Sequence, residues 1–179
     1  ATGRADELPD EFLSALYDTV KQEKPDGLVL GEVWEDASNK ISYGRRRRYL
    51  QGGILDSVMN YVWRDAIIRF VRGELSAEDL NESVMSLCEN YPPGSLHTMM
   101  NLLSTHDTPR ILTLLGADNP PQSREERAGY TLSDEALAKA VDRLSTAVFL
   151  LFTLPGSACI YYGDEIGMQG FEDPFNRAY

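Results

Sequence analysis

Cysteine and histidine are scarce in this sequence: two of each, Cys88 and Cys159, His97 and His106, in 179 residues. Both cysteines sit in apolar settings and read as buried thiols rather than as a disulfide or a metal pair. Two histidines are fewer than the multi-histidine sites of metal-dependent phosphohydrolases need. Basic residues are also in deficit. The 17 Lys and Arg against 28 Asp and Glu give a net charge of −11 at pH 7, which disfavours nucleic acid or an anionic membrane as partner and suits a neutral ligand. No uninterrupted apolar run is long enough to span a bilayer, and the first residues do not read as a signal peptide. A soluble chain is the expectation, with a cytoplasmic location favoured and secretion left open if sequence precedes residue 1. No Gly-x-Gly-x-x-Gly or Walker-type loop is present, which disfavours a nucleotide fold.

What the chain does have is enough apolar residue, 42% of the total, to bury one sizeable core. Along the chain, Pro9 to Lys24 patterns as an amphipathic helix with Phe12, Leu13, Leu16 and Val20 at helical spacing, ended by the Pro25-Asp26-Gly27 turn. A strand is expected over Leu28–Trp34 and an irregular stretch over Glu35–Gly53. That stretch holds Arg45-Arg46-Arg47-Arg48, which reads as a solvated helix face. Ile54–Trp63 reads as a strand with Asn60 and Tyr61 near its end. Helices come next over Arg64–Arg72 and from Ser76, a capping-box start, to about Glu89. Leu96–Leu103 reads as a buried strand and Gly116–Tyr130 as a polar loop. A long helix runs from Ser133 to Phe152, apolar on nearly every side after Leu144 and expected to be buried, and a last strand covers Ala158–Tyr162. Strands alternating with helices make a parallel sheet with right-handed crossovers, either part of a (β/α)8 barrel or an open doubly wound sheet. Four strands fit half a barrel, since a whole one needs eight and typically ~250 residues.

Three of these strands end in polar chemistry. Leu28-Val29-Leu30-Gly31 runs into Glu32, Val33 and Trp34. Leu102-Leu103-Ser104-Thr105 runs into His106 and Asp107. Cys159-Ile160-Tyr161-Tyr162-Gly163 runs into Asp164 and Glu165. Ligands and chemistry collect at the carboxyl ends of parallel strands. Carboxylates converging there suit glycosidic cleavage, which needs one group to protonate the leaving oxygen and one to attack or stabilise the developing cation. Glu32 between apolar neighbours suits the acid. Trp34 and Tyr61 can stack on sugar faces, and Asp107 can accept hydrogen bonds from sugar hydroxyls with His106 donating beside it. A metal-dependent hydrolase using His106 and Asp107, or a non-catalytic sugar-binding or structural protein, stands as the rival reading.

These strand-end residues resemble the α-amylase family of glycoside hydrolases, most closely its neopullulanase, cyclomaltodextrinase and maltogenic amylase branch. Gly31-Glu32-Val33-Trp34 is similar to the motif of the family's fifth barrel strand, Leu55–Ala66 to the sixth-strand segment, and Ser104-Thr105-His106-Asp107-Thr108 to the seventh-strand motif. Pro155-Gly156 with Ile160-Tyr161-Tyr162-Gly163-Asp164-Glu165 is similar to the eighth-strand signature. The resemblance covers essentially residues 5–179. It implies a retaining enzyme acting on α-1,4 links of maltodextrin, cyclodextrin or pullulan. Glu32 would be its general acid/base and Asp107 the fixed carboxylate that stabilises the transition state. His106 would bind the same sugar, with Asp173 and Arg177 as a further sugar-binding pair. The nucleophile should stand in an Arg-x-Asp motif. Arg4-Ala5-Asp6 has that form, making Asp6 a candidate. Ala5-Asp6-Glu7-Leu8 also resembles the family's segment just after the nucleophile, which places that position at Gly3, the favoured reading. Residues 1–179 are then expected to be the C-terminal half of a catalytic barrel, inactive alone and self-associating through exposed half-barrel edges. No cofactor is expected; calcium occurs in the family, but the sequence presents no complete metal site.

Overall fold

The computed structural model describes residues 5–177. The chain forms two compact units. The first takes the chain up to Trp63, Asn81–Asn101 and Pro155–Ser157; the second takes Arg64–Leu80, Leu102–Leu154 and the chain from Ala158 onward.

In the first unit, helix α1 spans Asp10–Glu23 with Asp10 and Glu11 in its first turn, where carboxylates complement the helix dipole. Of its expected apolar stripe only Leu13 is buried; Phe12 and Leu16 are exposed. The turn at Gly27, whose N–H reaches Lys24 O at 2.8 Å, delivers the chain to β1, Leu30–Gly31. A two-residue hairpin comes next: β2, Ile41–Ser42, pairs antiparallel with β3, Arg45–Arg46. Its loop residues Tyr43 and Gly44 have φ of 50° and 72°, the left-handed pair that matches the twist of a tight hairpin. Strand β4 is Ser57–Asn60, β5 is Met100–Leu102 and β6 is Ser157–Cys159. The sheet order is β1-β4-β5-β6. Leu30 is in register with Ser57 and Met59 with Met100, both pairs parallel, and Ser157 N–H donates to Met99 O at 2.8 Å. Tyr49, Ile54, Val58, Trp63, Leu87 and Met99 are each at most 2% exposed, and burying a side chain of this size contributes about 1.5–3 kcal/mol.

The paired strands are shorter than their apolar runs, for local reasons. Pairing of β4 stops at Asn60 because its Oδ1 accepts the N–H of Trp63 at 3.0 Å, a helix cap. Tyr61 therefore opens helix α2, Tyr61–Val71, instead of ending a strand. Helix α3 covers Ala77–Asn90 as expected. The start of the expected Leu96–Leu103 strand belongs instead to a helical turn α4, Pro93–His97, since proline is preset for a first helical turn. The arginine run is no helix face. Arg45 and Arg46 form β3, while Arg47 is buried, its Nε 2.7 Å from Asp10 and its Nη1 2.9 Å from Asp6 O.

In the second unit, α5 spans Ile111–Gly116 and packs on α7, Asp134–Thr153. Ser123 and Glu126 form a capping box that starts α6, Arg124–Ala128, inside the stretch expected to be loop. Ile111, Leu115, Ala140 and Ala147 are almost wholly buried. The expectation of a fully buried long helix fails: α7 turns Ala140, Ala147 and Leu151 inward but leaves Phe149 at 65% and Phe152 at 58% exposure. Both cysteines are free and only half-buried, and burial pushes the Cys88 thiol up. No helix among the described residues is long and apolar enough to cross a membrane.

Candidate active site

Glu32 lies two residues from Trp34, just past the carboxyl end of β1, and side chains two apart on extended chain share a face. The indole Nε1–H of Trp34 donates to Glu32 Oε1 at 2.9 Å. Below the indole, the ring of Tyr61 stacks on it at a centroid separation of 4.0 Å and an interplanar angle of 8°. Tyr61 is 1% exposed. Instead of standing as two free platforms, the aromatics stack on each other, Tyr61 holds Trp34, and Trp34 orients the carboxylate. Beside them Asn60 Nδ2 donates to Asn101 Oδ1 at 2.8 Å, and Asn101 Nδ2 to Pro155 O at 2.8 Å. Two buried amides thus tie the ends of β4 and β5 to the segment before β6.

Asp6 sits in a 3-10 turn, Ala5–Glu7, and on no strand. Its Oδ1 accepts the phenol of Tyr49 at 2.7 Å and its Oδ2 lies 3.1 Å from Lys40 Nζ. Burial, reinforced by that hydrogen bond, pushes the Tyr49 phenol well up. Gly3, the other position weighed for the nucleophile, lies outside the described residues.

The second unit holds the remaining candidates. His106 Nε2 and Asp107 Oδ2 are 3.2 Å apart, with side chains 42% and 39% exposed. Their loop is clasped from within. Thr105 N–H donates to Thr108 Oγ1 at 2.9 Å, Asp107 N–H to Thr105 Oγ1 at 3.2 Å, and Ile111 N–H to Ser104 Oγ at 2.8 Å. Arg110, fully buried, lies over the rings of Tyr161 and Tyr162 at 4.4 and 4.6 Å. It donates to Tyr162 O and pairs with Asp164 at 3.2 Å. Burial pushes the Asp164 carboxyl up, against the opposing hydrogen bonds from Ser104 and Arg110. Asp173 and Arg177 form an exposed ion pair, Oδ1 to Nε, at 2.7 Å. Between them Asn176 is fully buried.

The sequence pattern missed Asn60, Asn101, Arg110 and Asn176. Asn60 ahead of a helix has a cap signal; the others carry none. Among the described residues no three His, Cys, Asp or Glu side chains gather in a cluster of the kind that holds a metal ion.

Comparison with known proteins decides the family. The model of the alpha amylase catalytic domain matches residues 6–178. This chain belongs to the alpha-amylase catalytic-domain family. Its parallel α/β sheet is part of that family's (β/α)8 barrel. The chain is 34% identical over 171 residues to a cyclomaltodextrinase of Geobacillus thermopakistaniensis (strain MAS1), covering 95% of this chain and 24% of that protein. Against neopullulanase 2 of Thermoactinomyces vulgaris it is likewise 34% identical over 171 residues, 95% of this chain and 24% of the other. The cyclic alpha-maltosyl-(1→6)-maltose hydrolase of Arthrobacter globiformis, solved in complex with maltose, matches with a TM-score of 0.74 at 29% identity, over 95% of this chain and 32% of that one. The chain thus spans about a quarter of the length of these two curated relatives.

Proposed function

We propose that these residues form part of the catalytic barrel of a retaining glycoside hydrolase that cleaves α-1,4 links in glucans of the maltodextrin, cyclodextrin or pullulan type. The observation that carries the reading is Glu32 at a strand's carboxyl end, oriented by the Trp34 indole that Tyr61 supports. In this reading Glu32 protonates the departing glycosidic oxygen and then, as carboxylate, takes a proton from the incoming water. Asp107 accepts hydrogen bonds from sugar hydroxyls and stabilises the positive charge that develops at the anomeric carbon. His106, Trp34, Asp173 and Arg177 bind sugar, and Tyr61 serves through Trp34. The structures of relatives with maltose and with cyclic alpha-maltosyl-(1→6)-maltose bound favour an oligosaccharide as ligand.

Asp6 is engaged by Tyr49 and Lys40, which supports assigning the nucleophile to another carboxylate. Residues 1–179 alone are then expected not to cleave, and to self-associate through exposed half-barrel edges, to which the exposed Phe149 and Phe152 of α7 add apolar surface. The test is hydrolysis of maltodextrin, cyclodextrin and pullulan by the longest natural chain that carries this sequence, with and without Glu32→Gln. A loss on the order of 10³-fold or more is expected for removing the acid/base from the two-carboxylate mechanism. Unchanged turnover in Glu32→Gln would remove Glu32 from the acid/base role, and sugar binding without any hydrolysis would replace the enzyme by a binding protein.

A further inference from the structure

The segment that carries Asp173 and Arg177 also reaches the loop that carries His106 and Asp107. Asn176 lies in the 3-10 turn Phe175–Arg177 and is 0% exposed. Its Nδ2 donates to Thr105 O at 3.3 Å, to His106 O at 2.8 Å and to Thr108 O at 2.8 Å. A primary amide has two N–H donors, so three carbonyls share two protons, with the longest contact bifurcated. Its Oδ1 has no partner among the described residues. All of this side chain's hydrogen bonds therefore go to one stretch of backbone, four residues long, with His106 and Asp107 in its middle. An asparagine kept merely for solubility would be in water, and one kept for packing alone would not leave a buried oxygen unpaired at a cost.

We propose that Asn176 is a positioning residue. By holding the carbonyls of Thr105, His106 and Thr108 it fixes where the Asp107 carboxylate and the His106 ring stand, and it couples that loop to the Asp173–Arg177 pair. The functional half of the proposal rests on the transition-state role proposed for Asp107. Functional side chains must be held within roughly half an ångström of the productive position. The internal clasp of Thr105 and Thr108 fixes the shape of the loop; Asn176 fixes it against a second segment. Any ligand that displaces Asp173 or Arg177 is then felt at Asp107.

The test is Asn176→Asp, which keeps the shape and removes both donors, with Asn176→Ala as the second variant in case the buried charge unfolds the protein, both in the full natural chain. Amide hydrogen exchange is read without substrate. Exchange at Asp107 and Thr108 should quicken about tenfold or more while that of α7 stays as it was, the sign of a local opening. Unchanged exchange at both amides overturns the proposal and leaves the glycosidase reading standing; equal quickening throughout α7 in both variants also overturns it. Maltotriose hydrolysis is read second. Here kcat/KM should fall about 10- to 100-fold, while in an Asp107→Asn background the same change should cost under about threefold, because residues acting through one group are not additive. The full loss in both backgrounds overturns positioning. A parent chain that cleaves nothing sinks the glycosidase reading alone, and the exchange result still decides the role of Asn176.

Discussion

Trp34 points its indole N–H at the Glu32 carboxylate, 2.9 Å away, and turns one ring face to Tyr61, 4.0 Å away. An aromatic that the sequence pattern offers as a sugar platform is therefore already engaged by Glu32 and by Tyr61. Its hydrogen bond fixes which oxygen of Glu32 is free, and the stack fixes the indole. Offset or parallel aromatic pairs of this kind are worth about 0.5–1.5 kcal/mol beyond the area they bury.

Trp34→Phe separates these roles, because it keeps the stack and removes the donor. On the maltodextrin hydrolysis proposed for the full natural chain, kcat/KM should fall roughly tenfold, which corresponds to about 1.4 kcal/mol, close to the lower end of the ~1.5–3 kcal/mol of a hydrogen bond to a charged group. Thermal unfolding should move little. Steady-state kinetics with a melting curve checks both; unaltered kinetics would mean that Glu32 needs no orienting donor.

Gly156→Ala should destabilise the first unit by about 2 kcal/mol or more, because two effects combine. Gly156 has a φ of 114°, and a Cβ there would stand 2.7 Å from Met99 O and 2.9 Å from Asn101 Nδ2. Those atoms hold the Ser157 and Pro155 contacts that attach β6 to β5. Urea unfolding measures the change; a stability within error of the parent would show that β6 tolerates displacement.

Asp56 gives the first unit an acid limb. Burial alone would push its carboxyl up. Hydrogen bonds from Lys21, the Val29 N–H and Tyr17 outweigh that and hold it below its ordinary value. A carboxyl whose folded pKa is depressed stabilises the fold above the unfolded value of ~3.9 and loses that contribution as pH falls through the folded pKa. Stability followed by circular dichroism from pH 6 downward should therefore drop more steeply below about pH 4 in the parent than in Asp56→Asn. Parallel curves would show that Asp56 has no part in the acid transition.

Phe149 and Phe152, exposed at 65% and 58% on α7, with Val148 and Phe152 also lining a cavity of about 250 Å³ that includes Leu103 and Ile160, make an apolar face of the kind that drives association. In the 179-residue chain, Phe149→Glu with Phe152→Glu should lower the apparent mass in sedimentation and leave the secondary structure unchanged. A parent chain that is monomeric at high concentration would remove the self-association expected of it.

The sequence by itself determined the βα alternation and the three strand ends. Apolar runs of strand length closing on Glu32, His106-Asp107 or Asp164-Glu165 are local signals, written in neighbouring residues, and the family resemblance rested on the same local motifs. Helix limits were legible where a cap is coded nearby, as at Ser133 for α7. Tertiary structure alone decided which members of a uniform stretch are buried. Arg47 is inside while Arg45, Arg46 and Arg48 are in water, because the backbone of Asp6 and Leu8, far away in sequence, accepts its hydrogen bonds, and Asp10 holds it at 2.7 Å while reaching Arg48 only at 3.8 Å. The same holds for Tyr61, carried into a helix and under an indole by the cap at Asn60. It holds again for Asn176, whose partners lie 68 to 71 residues away. A hydrogen bond across that distance leaves no period and no spacing in the chain; it exists only once the chain has folded back and brought the two segments within 3 Å or so of each other.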